Sequence, residues 1–151
     1  MIEKLNNTDL KVAEKIRVVF QISYKIEAQL LNATDFPPLK RPLKSYIDCE
    51  NDFYGYLKNN ELAAVIEIHH NEKHTLIRSL VVAPSFFRQG IAGKFVQFVF
   101  DTYQAQLFLV ETGAANGPAI ALYQKYGFIE VMQWDTDHGI RKVKYEKKIG
   151  N

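Results

Sequence analysis

The chain has 151 residues, of which 47% are hydrophobic and 24% charged, a composition that excludes disordered and fibrous proteins and predicts one domain over residues 1–151. Lysine and arginine exceed aspartate and glutamate by only 19 to 17, so charge gives no argument for a nucleic acid or a membrane as partner. No apolar run reaches the roughly 18 residues of a membrane helix, and the single cysteine, Cys49, excludes an internal disulfide and suits a cytoplasmic location.

The first half of the chain alternates between two hydrophobic periods. Apolar residues recur at helical spacing in residues 9–31, and at a spacing near two from residue 53 onward. A loop with Pro37, Pro38 and Pro42 separates the two patterns, since proline is excluded from helix interiors. The predicted elements are a strand at 2–5, a helix at 9–31, and an antiparallel meander of strands at 53–57, 62–68 and 75–82.

The second half of the chain predicts a crossover and a final hairpin. A buried helix leads to a short, wholly apolar strand, which we expect to lie parallel to the last strand of the meander. Asn116 suits the start of the next helix and Gly127 its end. The basic last strand is expected to form a solvated sheet edge. The predicted elements are a helix at 91–103, a strand at 107–110, a helix at 116–127, and strands at 128–134 and 140–148.

The segment 82–94 carries the first chemical signal. A predicted strand ends there and a helix begins among the small residues Gly90, Ala92 and Gly93, which leave backbone N–H groups uncovered at the positive end of a helix dipole. Such a turn suits a phosphate or a pyrophosphate, and Arg88 and Lys94 add positive charge. Neither the P-loop nor the dinucleotide-binding fingerprint matches. The alternative is a glycine-rich turn that only lets the helix pack closely on its strand.

The segment 111–123 carries the second signal. Glu111 follows the short apolar strand, and Asn116 and Tyr123 are two helical turns apart and therefore share one face of the next helix. A carboxylate, an amide and a phenol are thus predicted around the carboxyl end of a strand, where sheets of this kind place ligands. For Tyr123 the alternative is an aromatic residue of the core.

Together these segments resemble the GNAT superfamily, the GCN5-related N-acetyltransferases. The residues that carry the resemblance are 80–84, 88–93 and 116–128, in the family's order and spacing. Residues 111–128 are most similar to the ribosomal-protein alanine N-acetyltransferases, a stretch that many small-amine members share. The family's loop motif has Gln or Arg three residues before a glycine, and Gly or Ala two residues after it. Gly90 and Ala92 fit this motif, while Phe87 stands at the Gln or Arg position and Arg88 would supply the charge.

The resemblance implies a mixed α/β fold, with a central, mostly antiparallel twisted sheet of about six to seven strands and helices on both faces. It implies acetyl-CoA as co-substrate, with its pantetheine arm in a gap between two splayed parallel strands. No metal is expected, because the neighbouring His69 and His70 would point to opposite faces of a strand. The residues expected to bind acetyl-CoA are Leu80, Val81, Val82, Arg88, Gln89, Gly90, Ile91, Ala92, Gly93, Lys94 and Asn116.

The resemblance also implies a reaction, the direct attack of a primary amine of a small molecule or peptide on acetyl-CoA in a ternary complex. Tyr123 would protonate the departing thiolate, and Glu111 stands at the family's base position. Glu67 is a second candidate base, and for either carboxylate a solvated or salt-bridged group is the alternative. The proline loop is expected to shape the acceptor pocket, together with the aromatic residues Tyr24, Phe36 and Tyr46.

Other functions stay open at this level. A module that binds acyl-CoA without catalysis would need the same phosphate loop but not Tyr123, and a peptide or protein N-terminal acetyltransferase would share the whole site. Dimers are common among similar proteins, so a homodimer is a further expectation that the chain's own residues do not decide.

Overall fold

A computed structural model of the protein describes residues 1–149, which form one seven-stranded sheet with helices on both sides. Residues 150 and 151, included in the predicted domain, lie outside the described residues. Within residues 1–149 no helix is both long and apolar enough to cross a membrane. The elements are β1 (Ile2–Leu5), α1 (Leu10–Leu30), α2 (Leu43–Ile47), β2 (Asp52–Lys58), β3 (Glu61–His70), β4 (Thr75–Val82), α3 (Ile91–Thr102), β5 (Leu107–Gly113), α4 (Gly117–Lys125), β6 (Ile129–Asp135) and β7 (Arg141–Lys148), with short 3-10 turns at Pro37–Lys40 and Pro84–Phe86.

The strand order is β1-β2-β3-β4-β5-β7-β6, and every neighbouring pair is antiparallel except β4 and β5. This confirms the mixed, mostly antiparallel sheet and the meander. The turn between β2 and β3 contains Asn59 and Asn60 with φ of 52° and 65°, the left-handed region that asparagine tolerates better than most residues. The β4–α3–β5 crossover makes the one parallel pair, as predicted.

The sheet has a hydrophobic core on each face. Ile16 and Phe20 of α1 pack on one face against Phe53 and Val65. On the other face, residues of α3 and α4, including Phe95, pack against the alternate side chains of β3. Residues 63–68 of β3 are at most 1% exposed, because this strand lies under helices on both sides. The expectation of helices on both faces is confirmed.

Two expectations about the second half of the chain are wrong. β5 does not end at residue 110 but continues to Gly113, because β7 pairs with it along its whole length. Glu111 therefore lies on a strand and not in a loop. The basic stretch Arg141–Lys148 is not a sheet edge, since it pairs with β5 on one side and with β6 on the other. Alternate residues Val143 and Tyr145 are buried there, and β6 is the edge strand.

The parallel pair is short, and this positions the site. β4 and β5 are paired only at Thr75–Phe108, Leu76–Leu109 and Ile77–Val110, although both strands continue further. The register between β3 and β4 shifts at this point, so that Arg78 is the extra residue of a β-bulge, and bulges bend a strand. Beyond Ile77 the two parallel strands therefore separate and leave a gap in the middle of the sheet.

Candidate functional site

The gap between β4 and β5 opens into a cleft with a volume of about 1510 Å³, larger than the roughly 300–1,000 Å³ of ordinary ligand pockets. Residues from α1, β4, the β4–α3 loop, β5 and α4 line it. Of the residues predicted to bind acetyl-CoA or to act in catalysis, all but one line this cleft: Glu67, Leu80, Val81, Val82, Arg88, Gln89, Gly90, Ile91, Ala92, Gly93, Glu111, Asn116 and Tyr123.

The β4–α3 loop presents free backbone amides to the cleft. Arg88 and Gly90 have φ of 63° and 75°, and left-handed residues within a turn let consecutive N–H groups converge on an anion. The first bond of α3 runs from the Lys94 N–H to the Gly90 carbonyl at 3.1 Å, so the amides of the first helical turn have no helical acceptor. A Cβ built on Gly90 meets nothing within 4 Å. The space above this turn is therefore open to a ligand.

Lys94 is the predicted residue that the structure does not bring to the cleft. Its Nζ donates to the Tyr56 hydroxyl at 3.2 Å, and its amide is used inside α3. Gly93 lies in the cleft wall but also serves packing, because a Cβ at this position would lie 2.6 Å from the Tyr126 hydroxyl oxygen. The close packing expected of a glycine-rich turn is thus found at Gly93, and the open amides at the residues before it.

The free edge of β4 presents two further backbone donors. The Ala83 N–H donates to the Ala63 carbonyl of β3 at 2.8 Å, and peptide groups alternate in direction along a strand. The N–H groups of Leu80 and Val82 therefore point away from β3, into the gap. In agreement with this, the Val82 carbonyl accepts its hydrogen bond from the Ser23 hydroxyl of α1 at 2.8 Å.

The side chain of Asn116 joins α4 to α1. Its Oδ1 accepts from the Ala119 N–H at 3.2 Å and caps α4, as the sequence predicts. Its Nδ2 donates to Glu27 Oε1 at 2.7 Å. The contact with Glu27 was not visible in the sequence, since the two residues are 89 positions apart.

Tyr123 lies two turns further along α4, 5% exposed, with its ring edge-on to Phe128 at 5.6 Å between centroids. Burial raises the pKa of Tyr123, and the negative charge of Glu27 and the neighbouring Tyr24 raise it further. The phenol is therefore protonated at neutral pH and is available as a proton donor. The residue packs in the core and also lines the cleft. The core interpretation of Tyr123 is therefore confirmed, and its catalytic role stays a prediction.

Glu27 is a cleft residue that the sequence analysis missed. Burial raises its pKa, and the hydrogen bond from Asn116 and the charge of Lys142 offset only part of this effect. A sequence signal was present, because Phe20, Tyr24, Glu27 and Leu31 follow one another at helical spacing, and Glu27 is the one charged residue in that stripe. Tyr24 lines the same wall, as does Phe36.

Glu67 is 1% exposed and is held by an ion pair. Arg41 Nη1 and Nη2 donate to its Oε1 and Oε2 at 2.8 and 3.3 Å, and Asn51 Nδ2 donates to Oε2 at 2.8 Å. Burial would raise the pKa of Glu67, but the hydrogen bonds and charge of Arg41, helped by Asn51 and Cys49, bring it below its ordinary value. This is the salt-bridged carboxylate that the sequence left open as the alternative to a base.

Glu111 and Tyr46 lie in contrasting surroundings. The Glu111 side chain is 38% exposed at the end of β5, with Lys142 Nζ 3.7 Å from its Oε1. Tyr46 was expected in the acceptor pocket, but it is fully buried between α1 and the sheet, where the Arg41 guanidinium lies 4.2 Å from its ring centroid. Tyr46 therefore supports the wall of the cleft from behind and is not part of the cleft surface.

Taken together, the cleft offers open amides for an anion at one end, a free strand edge along its length and a neutral phenol beside several carboxylates. These are the groups that an acyl transfer requires, namely a site for a phosphate-bearing carrier, a donor for the leaving group and an acceptor for the proton of a nucleophile.

Comparison with known proteins agrees with this arrangement. The UPF0157 protein YqkA of Bacillus subtilis (strain 168) is 34% identical over 129 residues, which are 85% of this chain and 38% of YqkA, so the chain spans well under half the length of that relative. The ribosomal-protein-S18-alanine N-acetyltransferase of Escherichia coli superposes with a TM-score of 0.75 at 22% identity, covering 100% of this chain and 94% of the other.

The PaiA N-acetyltransferase of Thermoplasma acidophilum, solved in complex with coenzyme A, gives a TM-score of 0.72 at 16% identity and covers 99% of both chains. At these identities the two solved structures establish a shared fold. Residues 20–128 match the sequence profile described as the acetyltransferase (GNAT) family. The chain therefore belongs to the GNAT family of acetyltransferases.

Proposed function

We propose that the protein is an acetyl-CoA-dependent N-acetyltransferase that transfers the acetyl group to a primary amine of a small molecule or peptide, by direct attack in a ternary complex. The observation that supports this best is the separation of β4 and β5 beyond Ile77, which leaves a strand edge without a partner between the open amides of the β4–α3 loop and Tyr123. A long carrier with an anionic part and a thioester fits such a gap. PaiA, which shares the fold, was solved with coenzyme A.

In this proposal the diphosphate of acetyl-CoA is bound by the backbone amides between Arg88 and Gly93, at the positive end of α3. The pantetheine arm adds to the free edge of β4 through the N–H groups of Leu80 and Val82. The Asn116 amide is within reach of the same arm at the start of α4. The Val82 N–H then polarises the thioester carbonyl, where negative charge develops during attack.

Tyr123 gives its proton to the departing thiolate, which a neutral, buried phenol is able to do. The acceptor amine must first lose a proton. For a lysine-like amine of pKa about 10.4 this costs roughly 4–5 kcal/mol at pH 7, and for an α-amine near 7.8 it costs about 1 kcal/mol. Among the carboxylates predicted from the sequence, Glu111 remains a candidate base, since solvent reaches its side chain, which is 38% exposed. Glu67 is assigned to the wall, since Arg41 already engages both of its oxygens.

Titration calorimetry with coenzyme A tests the binding half of the proposal. The wild-type protein is expected to release heat. Gly90→Ala places a methyl group in the open space above the turn, where it would move the diphosphate away from one backbone donor. Binding is expected to weaken about tenfold, which corresponds to one charge-assisted hydrogen bond of about 1.5 kcal/mol. Gly139→Ala is the matched control, because Gly139 also has a left-handed φ (81°) and open space around it. No heat from the wild-type protein at millimolar coenzyme A would overturn the proposal.

Release of free thiol from acetyl-CoA tests the catalytic half. The acceptors to be screened are primary amines, polyamines, amino acids and peptides with a free N-terminus. Thiol release with at least one of these supports a transferase and names its acceptor class. Tight binding of coenzyme A with no thiol release above the acceptor-free rate would instead indicate a module that senses acyl-CoA without catalysis.

A further inference from the structure

Glu27 is a carboxylate inside the cleft with one oxygen committed and one free. Asn116 Nδ2 donates to Oε1 at 2.7 Å. Among residues 1–149 the second oxygen, Oε2, has neither a hydrogen-bond donor nor a cation within ion-pair distance. Glu27 lines the cleft, so the oxygen that Asn116 does not use is the one left for a molecule bound there.

We propose that Glu27 accepts the proton of the acceptor's ammonium group through Oε2 and so generates the amine that attacks the thioester. This inference rests on the proposed function and deepens it, because it names the proton acceptor of the same site. It requires an acceptor that enters as a cation, which is a primary ammonium compound rather than a neutral alcohol or thiol.

The surroundings of Glu27 favour a base over the other carboxylates of the cleft. The charged and titratable groups that face it are Lys142 of β7, Tyr24 on its own helix and Tyr123 on α4, and Lys142 is shared with Glu111 of β5. Burial raises the pKa of Glu27 in spite of Lys142 and Asn116, whereas the pKa of Glu67 is lowered by its ion pair. A carboxylate with a raised pKa takes a proton from an ammonium at lower cost.

Glu27 is also coupled to the proposed acid. The charge of Glu27 is one of the causes that raise the pKa of Tyr123. When Glu27 becomes neutral by taking the ammonium proton, that cause disappears and Tyr123 becomes a better donor just before the thiolate leaves.

The protons balance as follows. The first ammonium proton moves to Glu27 Oε2, and the free amine forms the N–C bond to the acetyl carbon. The C–S bond breaks as the Tyr123 phenol gives its proton to the sulfur. The second proton leaves the nitrogen to restore Tyr123, and Glu27 releases its proton to solvent. The sum is an amide, coenzyme A with a free thiol, and one proton released.

Glu27→Gln tests the inference, because glutamine keeps an oxygen that accepts from Asn116 but takes up no proton. With the best acceptor from the amine screen, kcat is expected to fall about 100-fold, the usual worth of a general base. Coenzyme A affinity and thermal stability are expected to stay at wild-type values, and the acidic limb of the pH profile of kcat/KM should flatten. Glu14→Gln, an exposed carboxylate on the same helix, is the matched control.

Two kinetic results would overturn the inference, and an NMR result would do so independently. One is a kcat/KM for Glu27→Gln within twofold of wild type with the acidic limb retained, while Glu111→Gln loses that limb. The other is a lower kcat with an unchanged pH profile, which would mean that Glu27 only positions the side chain of Asn116. Carbon-13 NMR of the glutamate carboxyls adds a readout without an acceptor, since one signal should titrate above the ordinary glutamate range and vanish in Glu27→Gln; absence of such a signal also contradicts the inference. Failure of the proposed function would appear differently, as wild-type protein that neither binds coenzyme A nor releases thiol.

Discussion

Arg41 engages both carboxylate oxygens of Glu67, with Nη1 at 2.8 Å from Oε1 and Nη2 at 3.3 Å from Oε2. The two residues come from different parts of the fold, Arg41 from the proline-rich loop after α1 and Glu67 from the middle of β3. Their ion pair joins this loop, which lines the cleft, to the most buried strand of the sheet. The same contact gives each carboxylate oxygen of Glu67 a donor from Arg41.

Removing the cation of this pair should be costly. Arg41→Met leaves the carboxylate of Glu67 buried without a counter-charge, and breaking a buried pair in this way costs about 3–5 kcal/mol in the free energy of unfolding. Urea unfolding at pH 7 measures the loss. Lys44→Met, which removes an exposed partner of Asp48 at 3.9 Å, is the control and should change stability by less than about 1 kcal/mol. Equal losses in the two variants would contradict a buried, energetically important pair.

The pH dependence of this loss has a definite sign. Because the pKa of Glu67 is lower in the folded protein than its ordinary value of 4.5, its ion pair stabilises the protein above that pH, and this stabilisation is lost as the pH falls through the lower, folded value. In Arg41→Met the penalty of the unpaired charge also disappears on protonation. The urea midpoints of the two proteins should therefore converge as the pH falls below 4.5 and through the lower, folded pKa of Glu67. A difference between the two urea midpoints that stays constant as the pH falls would show that the charge of Glu67 does not cause the difference.

Tyr123→Phe separates binding from turnover. Loss of the phenolic proton should lower kcat by about tenfold or more and leave the affinity for acetyl-CoA unchanged, since a general acid acts on the leaving thiolate and not on the bound ground state. Thiol release and calorimetry measure the two quantities. Tyr126→Phe is the control, because Tyr126 follows the last residue of the same helix and lies outside the cleft surface. Unaltered turnover in Tyr123→Phe would remove this residue from the mechanism.

Arg88 combines charge with an unfavourable backbone conformation. A non-glycine residue with φ of 63° is strained by about 1 kcal/mol, so Arg88→Gly should unfold at an equal or slightly higher urea concentration than wild type. The same variant should bind coenzyme A up to about fivefold more weakly, the value of an exposed ion pair of about 1 kcal/mol. Arg88→Lys keeps both charge and strain and should match wild type in both assays. A lower urea midpoint for Arg88→Gly than for the wild-type protein would contradict the prediction that the backbone of Arg88 is strained.

Gly93 and Tyr126 should show strong coupling. A Cβ at residue 93 would lie 2.6 Å from the Tyr126 hydroxyl oxygen but 3.4 Å from Cζ, an ordinary contact distance. Overpacking should therefore lower the free energy of unfolding of Gly93→Ala by about 1–3 kcal/mol. The higher helix propensity of alanine offsets up to about 1 kcal/mol of this loss. Combined with Tyr126→Phe, which removes the clashing oxygen, most of this loss should be recovered. Simple additivity of the two changes in urea unfolding would show that the contact is unimportant.

Local features of the fold were predictable from the sequence because each depends on neighbouring residues. The turn at Asn59 and Asn60, the cap at Asn116 and the glycine that ends α4, Gly127 with φ of 91°, all follow from conformational preferences of single residues. The β4–α3 loop was recognisable as a candidate phosphate site for the same reason, since it combines small residues and charge within one turn. Lys94 was assigned to it by proximity in sequence, but its side chain extends to Tyr56 instead.

The sequence by itself determined the order of the strands and of the three longer helices, and the segments proposed for the site, since hydrophobic period, caps and turn residues act over a few positions along the chain. The short helix α2 (Leu43–Ile47) and the full length of β5 were not predicted. Only the tertiary structure decided that β7 is inserted between β5 and β6, that Arg41 neutralises Glu67, and that Asn116 meets Glu27 across 89 residues. Such contacts depend on how distant segments pack, and no local preference encodes which carboxylate stays free once the chain has folded.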